Sequence, residues 1–125
     1  MLLLAGVMSA PGCRSGVAAG EGPGIKSLSD GELNGNVPGS LDAAKDALLQ
    51  TLVGMGVQNA DQQQNPVLVV INARTLQNVA LEIKVTRISD DLTKIRIRAG
   101  EGDLDLARTI YNDVRQQLER QMYRD

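Results

Sequence analysis

Apolar and polar residues alternate along the centre of the chain, from residue 79 to residue 98. In residues 79–86 the larger apolar side chains occupy the odd positions, and Ile95 and Ile97 alternate with basic residues in the same way. A period of two places alternate side chains on opposite faces of a strand, so each segment has one apolar and one polar face. Residues 89–91, Ser-Asp-Asp, have the composition of a tight turn. The pattern therefore predicts an antiparallel hairpin.

The register of this hairpin follows if Ile88 and Leu92 flank the turn. It then contains two apolar and two charged cross-strand pairs: Val85–Ile95, Ile83–Ile97, Glu82–Arg98 and Lys84–Arg96. The pair of opposite charges is favourable and the pair of like charges is unfavourable. The uninterrupted apolar run at residues 67–71 predicts a third strand, which should be covered on both faces.

An amphipathic helix is predicted on either side of these strands. Ser40 is a suitable N-cap for the first helix, and Gly56 can end it in a left-handed conformation. Asp103 is a suitable N-cap for the second, over about residues 104–122. Each has an apolar stripe at helical spacing: Leu41, Ala44, Leu48, Leu52 and Met55 in the first, and Ala107, Ile110, Tyr111, Val114, Leu118 and Met122 in the second.

Two weaker segments complete the fold prediction: a strand at residues 32–37 and a short strand within the polar residues 57–65. The expected fold class is α+β, a two-layer sandwich with an antiparallel sheet of four or five strands in the order β-α-β-β-β-β-α. Both helices should lie on one face of the sheet. The second helix should cross the whole apolar face, with contacts among two sets of side chains: Ile110, Val114 and Leu118 against Val79, Leu81, Ile83, Val85, Ile95 and Ile97.

The N-terminal part of the chain has a different composition. Residues 1–12 resemble the apolar region and cleavage site of a secretory signal, and Cys13 is then the candidate lipid-attachment residue. Residues 13–30, rich in Gly, Ala and Ser, predict a flexible tether, and residues 31–125 a single domain. The residues before Cys13 resemble a lipobox, the site at which a bacterial signal peptidase cuts before a cysteine that carries lipid. They depart from the usual pattern at Ala10 and Pro11, and no basic residue precedes the apolar run. A start codon assigned too far downstream would explain the missing basic residues. The alternative is a frayed N-terminus with an incidental cysteine.

The amino-acid composition excludes several kinds of catalytic and metal-binding site. The 125 residues include no His and one Cys, which removes the commonest general base, a disulfide framework and a zinc cluster. The paired acids Asp90 and Asp91 suit a turn, while Asp103 and Asp105 suit a helix start. We therefore expect no enzymatic activity, no cofactor and no metal. A hydrolase that uses carboxylates alone is the less favoured alternative.

Four cations form the candidate binding residues: Lys84, Lys94, Arg96 and Arg98. They predict either a patch for an anionic partner or the solvated face of a two-sided sheet, partly neutralised by Glu82. Nucleic acid is not expected, because the net charge is −2 and aromatic residues that could stack on bases are nearly absent.

The predicted domain, over about residues 31–118, also resembles a family of small bacterial lipoproteins catalogued only as a domain of unknown function. Three segments carry the resemblance: Gly31-Glu32-Leu33, the strand 93–100, and the Gly102-Asp103 helix start followed by Ala107, Arg108, Ile110 and Leu118. It implies export and a lipid anchor, and it brings no catalytic residues.

The expected function is thus a non-enzymatic protein of the cell envelope, held at the membrane by a lipid anchor on its periplasmic or outer side. Its expected partners are the membrane and an envelope protein or glycan. A cytoplasmic ligand-binding or interaction module is the alternative. The sequence does not predict an oligomeric state.

Overall fold

The computed structural model describes residues 22–57 and 60–122, which form six strands and two helices. The elements, in chain order, are β1 (Gly24–Ser29), β2 (Glu32–Pro38), α1 (Leu41–Gly54), β3 (Asp61–Asn65), β4 (Leu68–Arg74), β5 (Ala80–Ser89), β6 (Leu92–Ala99) and α2 (Leu104–Met122). All six strands belong to one antiparallel sheet, in the order β1-β2-β6-β5-β4-β3. The predicted α+β class is confirmed, but the sheet has six strands rather than four or five.

The strand that the sequence analysis missed is β1, which lies within the predicted tether of residues 13–30. The tether prediction is therefore wrong for residues 24–29, and the folded domain extends further toward the N-terminus than residue 31. The segment has only two apolar residues, Ile25 and Leu28, and a bulge between Ile25 and Ser27 interrupts its alternation. Pairing with β2 makes it a strand, and local sequence does not reveal that pairing. Residues 1–12 and Cys13 lie outside the described residues.

The central hairpin has the predicted register. All four predicted pairs occur between β5 and β6: Val85–Ile95, Ile83–Ile97, Glu82–Arg98 and Lys84–Arg96. The helix caps are also confirmed. Ser40 Oγ accepts a hydrogen bond from the backbone N of Ala43 at 3.1 Å, and Asp103 Oδ1 accepts one from the backbone N of Leu106 at 3.0 Å.

Both helices pack on the inner face of the sheet, and they divide it between them. α2 lies mainly over β2 and β6, whereas α1 lies over β5 and β6 and also contacts α2. The prediction that both helices lie on one face is confirmed, but α2 does not extend across the whole of it as expected, because α1 occupies the half over β5. Ile110, Val114 and Leu118 are buried as predicted, while Val79 lies in the connection before β5 and is only half-buried.

The two predictions for the other end of the sheet had different outcomes. The short strand expected within residues 57–65 is confirmed as β3, Asp61–Asn65. The expectation that residues 67–71 are covered on both faces is wrong. Val67 lies in the preceding turn with 51% of its surface exposed, and Val70 is half-buried on the face that no helix covers.

The single aromatic side chain within the described residues, Tyr111, joins α2 to β2. Its ring lies over Gly35, where a Cβ atom would stand 2.9 Å from Tyr111 Cε1 and 2.9 Å from the carbonyl O of Gly24. Its hydroxyl donates a hydrogen bond to the backbone O of Asn36 at 2.6 Å. Burial raises the pKa of this hydroxyl, while the neighbouring Arg115 opposes the rise. Tyr111 and Gly35 therefore form a matched pair in the packing of α2 on the sheet.

A second close approach joins the two ends of the domain. Gly31, in the β1–β2 turn, and Gly102, in the turn before α2, both have positive φ, at 73° and 113°. A Cβ atom on Gly31 would stand 2.7 Å from Gly102 Cα, so neither position has room for a larger residue. The first and last segments that carry the family resemblance are thus in direct contact.

Candidate functional site

The face of the sheet opposite the helices carries the predicted cations. Alternation along β5 and β6 points Lys84 from one strand and Lys94, Arg96 and Arg98 from the other to this outer side, and we call these four residues the basic face. Lys84 stands directly opposite Arg96 in the β5–β6 ladder. The structure therefore brings all four predicted residues together on two adjacent strands.

The arginines of the basic face are held by a carboxylate on β2. Arg96 Nε lies 3.0 Å from Glu32 Oε1, and Arg98 Nη1 lies 3.9 Å from Glu32 Oε2. Arg98 Nη1 also donates a hydrogen bond to the backbone O of Asp30 at 3.2 Å. The hydrogen bond from Arg96 holds the pKa of Glu32 below its usual value, although burial partly opposes this effect. Glu32 thus neutralises part of the charge.

Sequence reasoning assigned the neutralising role to Glu82 and missed Glu32. Glu82 stands opposite Arg98 in the ladder, but it makes no ion pair with any described residue. Glu32 and Arg96 become neighbours only because β2 pairs with β6, which joins segments far apart in the chain.

The two lysines of the basic face differ from the two arginines in their ion pairing. Within residues 22–57 and 60–122, neither Lys84 nor Lys94 forms an ion pair. Lys94 is flanked by Asn36 on β2 and Thr86 on β5, which are uncharged, while Lys84 is flanked by Val70 and Arg96. The lysines are therefore the cations of this face that remain without a carboxylate partner.

Three of the four carboxylates that sequence analysis considered for catalysis have structural partners. Asp90 forms an ion pair with Arg87 across the β5–β6 turn, and Asp91 accepts a hydrogen bond from Ser89 Oγ at 2.9 Å. Asp103 caps α2. In the part of the chain that the structure describes, no group of three or more Cys, Asp or Glu side chains is arranged to hold a metal ion.

A depression of about 580 Å³ lies at one end of the sheet, where β4 extends beyond β3. Its lining includes one carboxylate, Asp61, and one guanidinium, Arg74. Arg74 Nη1 is already committed to Asn78, since it donates to the backbone O at 3.3 Å and to Oδ1 at 3.4 Å.

The Glu32–Arg96 pair predicts a specific pH dependence of stability. The pKa of Glu32 is lowered in the folded state, so the pair stabilises the protein above the unfolded-state pKa of about 4.3 and stops doing so as the pH falls through the lower folded-state value. Glu32→Gln and Arg96→Gln should therefore each reduce the loss of unfolding free energy on acidification below about pH 4.3. Urea denaturation at a series of pH values measures this slope. A slope that equals the parent's in both variants would contradict the assignment.

The described part of the chain contains no helix with the length and apolar character to cross a bilayer. Cys13, the predicted lipid-attachment residue, lies outside the described residues.

Comparison with known proteins identifies a family. Residues 1–117 match the family described as "Protein of unknown function (DUF3568)", and the chain belongs to this family. The matched range includes the N-terminal segment and every strand, together with most of α2. A search of curated proteins finds no match to the chain.

Proposed function

We propose that this family member is a non-enzymatic, lipid-anchored domain of the cell envelope that binds an anionic partner through its basic face. The observation that carries the proposal is the position of the four cations. They lie together on two adjacent strands, on the one face of the sheet that the helices leave uncovered.

The energetics of the face support a binding role over a purely structural one. Like charges directly opposite each other on adjacent strands destabilise a sheet, and Lys84 and Arg96 are placed in this way. Glu32 compensates for the arginines, but neither lysine has an ion-pair partner among the described residues. An anion bound between the strands would relieve the remaining repulsion.

The lipid anchor is supported by the N-terminal sequence. Residues 1–8 are apolar and uncharged, and small residues lead to Cys13, the chain's single cysteine. The family match begins at residue 1, so this segment is part of the matched pattern. Between Cys13 and the first strand at Gly24 there is enough chain to separate a lipid from the domain.

Metabolic labelling with radiolabelled palmitate tests the anchor. The protein should incorporate label when it is expressed from its natural chromosomal locus, and Cys13→Ser should abolish incorporation because the chain has no other thiol. Equal labelling of both proteins, or of neither, would refute the anchor. Fractionation of the same cells tests location: the protein should sediment with membranes, whereas recovery in the cytosol would favour the interaction-module alternative.

A further inference from the structure

We infer that the anionic partner of the basic face is the phospholipid surface beside the anchor, so that the sheet lies against the headgroups with the helices turned away. This inference rests on the proposed function and specifies its partner. Three features of the described residues support it: the side on which the chain enters the domain, the distribution of charge and, within that distribution, the two lysines without ion pairs.

The chain enters the domain on the side of the basic face. Asn36 Nδ2 donates a hydrogen bond to the backbone O of Gly22 at 3.3 Å. Asn36 lies at an outward-facing position of β2, directly opposite Lys94 of β6. The first described residue is therefore attached next to the basic face, on the side of the sheet away from the helices.

The covalent distance to the anchor is short. Eight residues lie between Cys13 and Gly22, so the Cα atoms of these two residues are at most about 30 Å apart. The helix α2 is itself about 28 Å long. An anchor at Cys13 thus keeps the domain within about its own length of the bilayer. This range includes distances within the Debye length of about 8–10 Å, over which an anionic surface attracts the basic face.

The charge distribution favours one orientation toward an anionic surface. Outward-facing strand positions carry five cations, the basic face and Arg74, against the three carboxylates of Glu32, Asp61 and Glu82. In the rest of the described chain, carboxylates outnumber cations by ten to six. A negatively charged bilayer therefore attracts the sheet and repels the helices and turns, even though the net charge of the chain is −2.

The two lysines of the basic face should contribute most to the preference for an anionic membrane, and their contribution can be tested by substitution. Because Arg96 and Arg98 are already paired with Glu32, their attraction to a headgroup phosphate is partly offset. Lys84 and Lys94 carry no such pairing among the described residues. A basic side chain near an anionic membrane contributes roughly fivefold to the partition coefficient. The loss of both lysines should therefore reduce partitioning by about 25-fold.

Vesicle co-sedimentation tests the inference on the full chain with Cys13→Ser, so that no lipid is attached. The probes are vesicles of phosphatidylcholine alone and of phosphatidylcholine mixed in equal parts with phosphatidylglycerol. The parent should partition onto the mixed vesicles and be released by added salt. Lys84→Gln/Lys94→Gln should lose about 25-fold in partition coefficient. The matched control, Arg108→Gln/Arg120→Gln, removes two exposed cations from α2 and should stay within about twofold of the parent.

Fluorescence energy transfer tests which face of the domain lies against the membrane. The chain has no tryptophan, so a single introduced tryptophan reports its own distance to dansyl-labelled lipid. Thr86→Trp places it beside Lys94 on the outer face, and Asn112→Trp places it at an exposed position of α2. Transfer on mixed vesicles should be larger from position 86 than from position 112.

Three results would overturn the inference. The first is equal binding of the parent to both kinds of vesicle, or none to either. The second is equal loss in the lysine and arginine variants, and the third is equal transfer from the two tryptophans. These outcomes are separate from the failure of the anchor, because the assays use a chain that cannot be acylated at Cys13. None of these results would affect the test of the anchor by palmitate labelling of the natural protein. An envelope protein or glycan would then be the partner to seek.

Discussion

Ile83→Ala is expected to lower the free energy of unfolding by about 2–5 kcal/mol. Ile83 is fully buried at the centre of β5, with Ile71 on one neighbouring strand and Ile97 on the other. Truncation there removes apolar contacts and leaves a cavity that close-packed neighbours fill only in part. Ile110→Ala in α2, which is also fully buried, should have a comparable effect on the helix layer. Since a domain of this size has only about 5–15 kcal/mol of stability, either variant loses a large share of it.

Arg96→Ala is the control for the two isoleucine variants. The Arg96 side chain is 45% exposed and its ion pair with Glu32 lies on the outer face, so its removal should cost no more than about 1 kcal/mol. Urea denaturation of the three variants, at a pH where Glu32 is ionised, gives the comparison. If Arg96→Ala were the most damaging change and the isoleucine variants unfolded like the parent, the assignment of inner and outer faces would be inverted.

Gly35→Ala is expected to destabilise the domain by about 1–3 kcal/mol or more, although it adds a single methyl group. The added Cβ would stand 2.9 Å from both the Tyr111 ring and the carbonyl O of Gly24. It would therefore push α2 away from β2 on one side and the β1 backbone on the other. Because the Tyr111 hydroxyl bonds to the backbone of the adjacent Asn36 at 2.6 Å, the ring has little freedom to withdraw.

Gly54→Ala is a matched control, since it makes the same substitution with the opposite expected sign. Gly54 is the last residue of α1, and no heavy atom lies within 4 Å of the position its Cβ would take. Alanine is the better helix former by about 0.5–1 kcal/mol, so this variant should equal or exceed the parent in stability. The midpoints of thermal or urea unfolding distinguish the two. Equal behaviour of the two variants would show that Tyr111 does not pack on Gly35 as described.

Much of the fold follows from local pattern. Alternation over residues 79–98 predicts both strands of the hairpin and the register of its four named pairs, because a two-residue period and a short connection leave little freedom in pairing. The turn is one residue shorter than predicted, since Ser89 pairs with Leu92 and the register shifts between Arg87 and Ser89. The extent of α2 and both N-caps are predicted correctly, since an apolar stripe at helical spacing and an orphan backbone amide are local requirements. The basic face is predicted for the same reason: its residues alternate with core residues on adjacent strands.

The errors concern residues whose structure depends on distant partners. β1 has too few apolar residues to be recognised as a strand, and it acquires its hydrogen bonds from β2. The two helices share the inner face because α1 occupies the half over β5, which the apolar stripe of α2 alone does not indicate. Residues 67–71 are apolar on both faces of the predicted strand, yet the helices of residues 22–57 and 60–122 cover only one face of the sheet.

By itself, the sequence determined the type and limits of most elements and the identity of the four cations of the basic face, because these depend on spacing along the chain. The tertiary structure alone decided what lies beside each element. It placed Glu32 against Arg96, Tyr111 over Gly35 and Gly31 against Gly102, all through the pairing of β2 with β6 and the packing of α2. Such contacts join residues that no periodicity relates. They form only when the strands pair and the helices pack on the sheet, because this packing brings distant segments of the chain together.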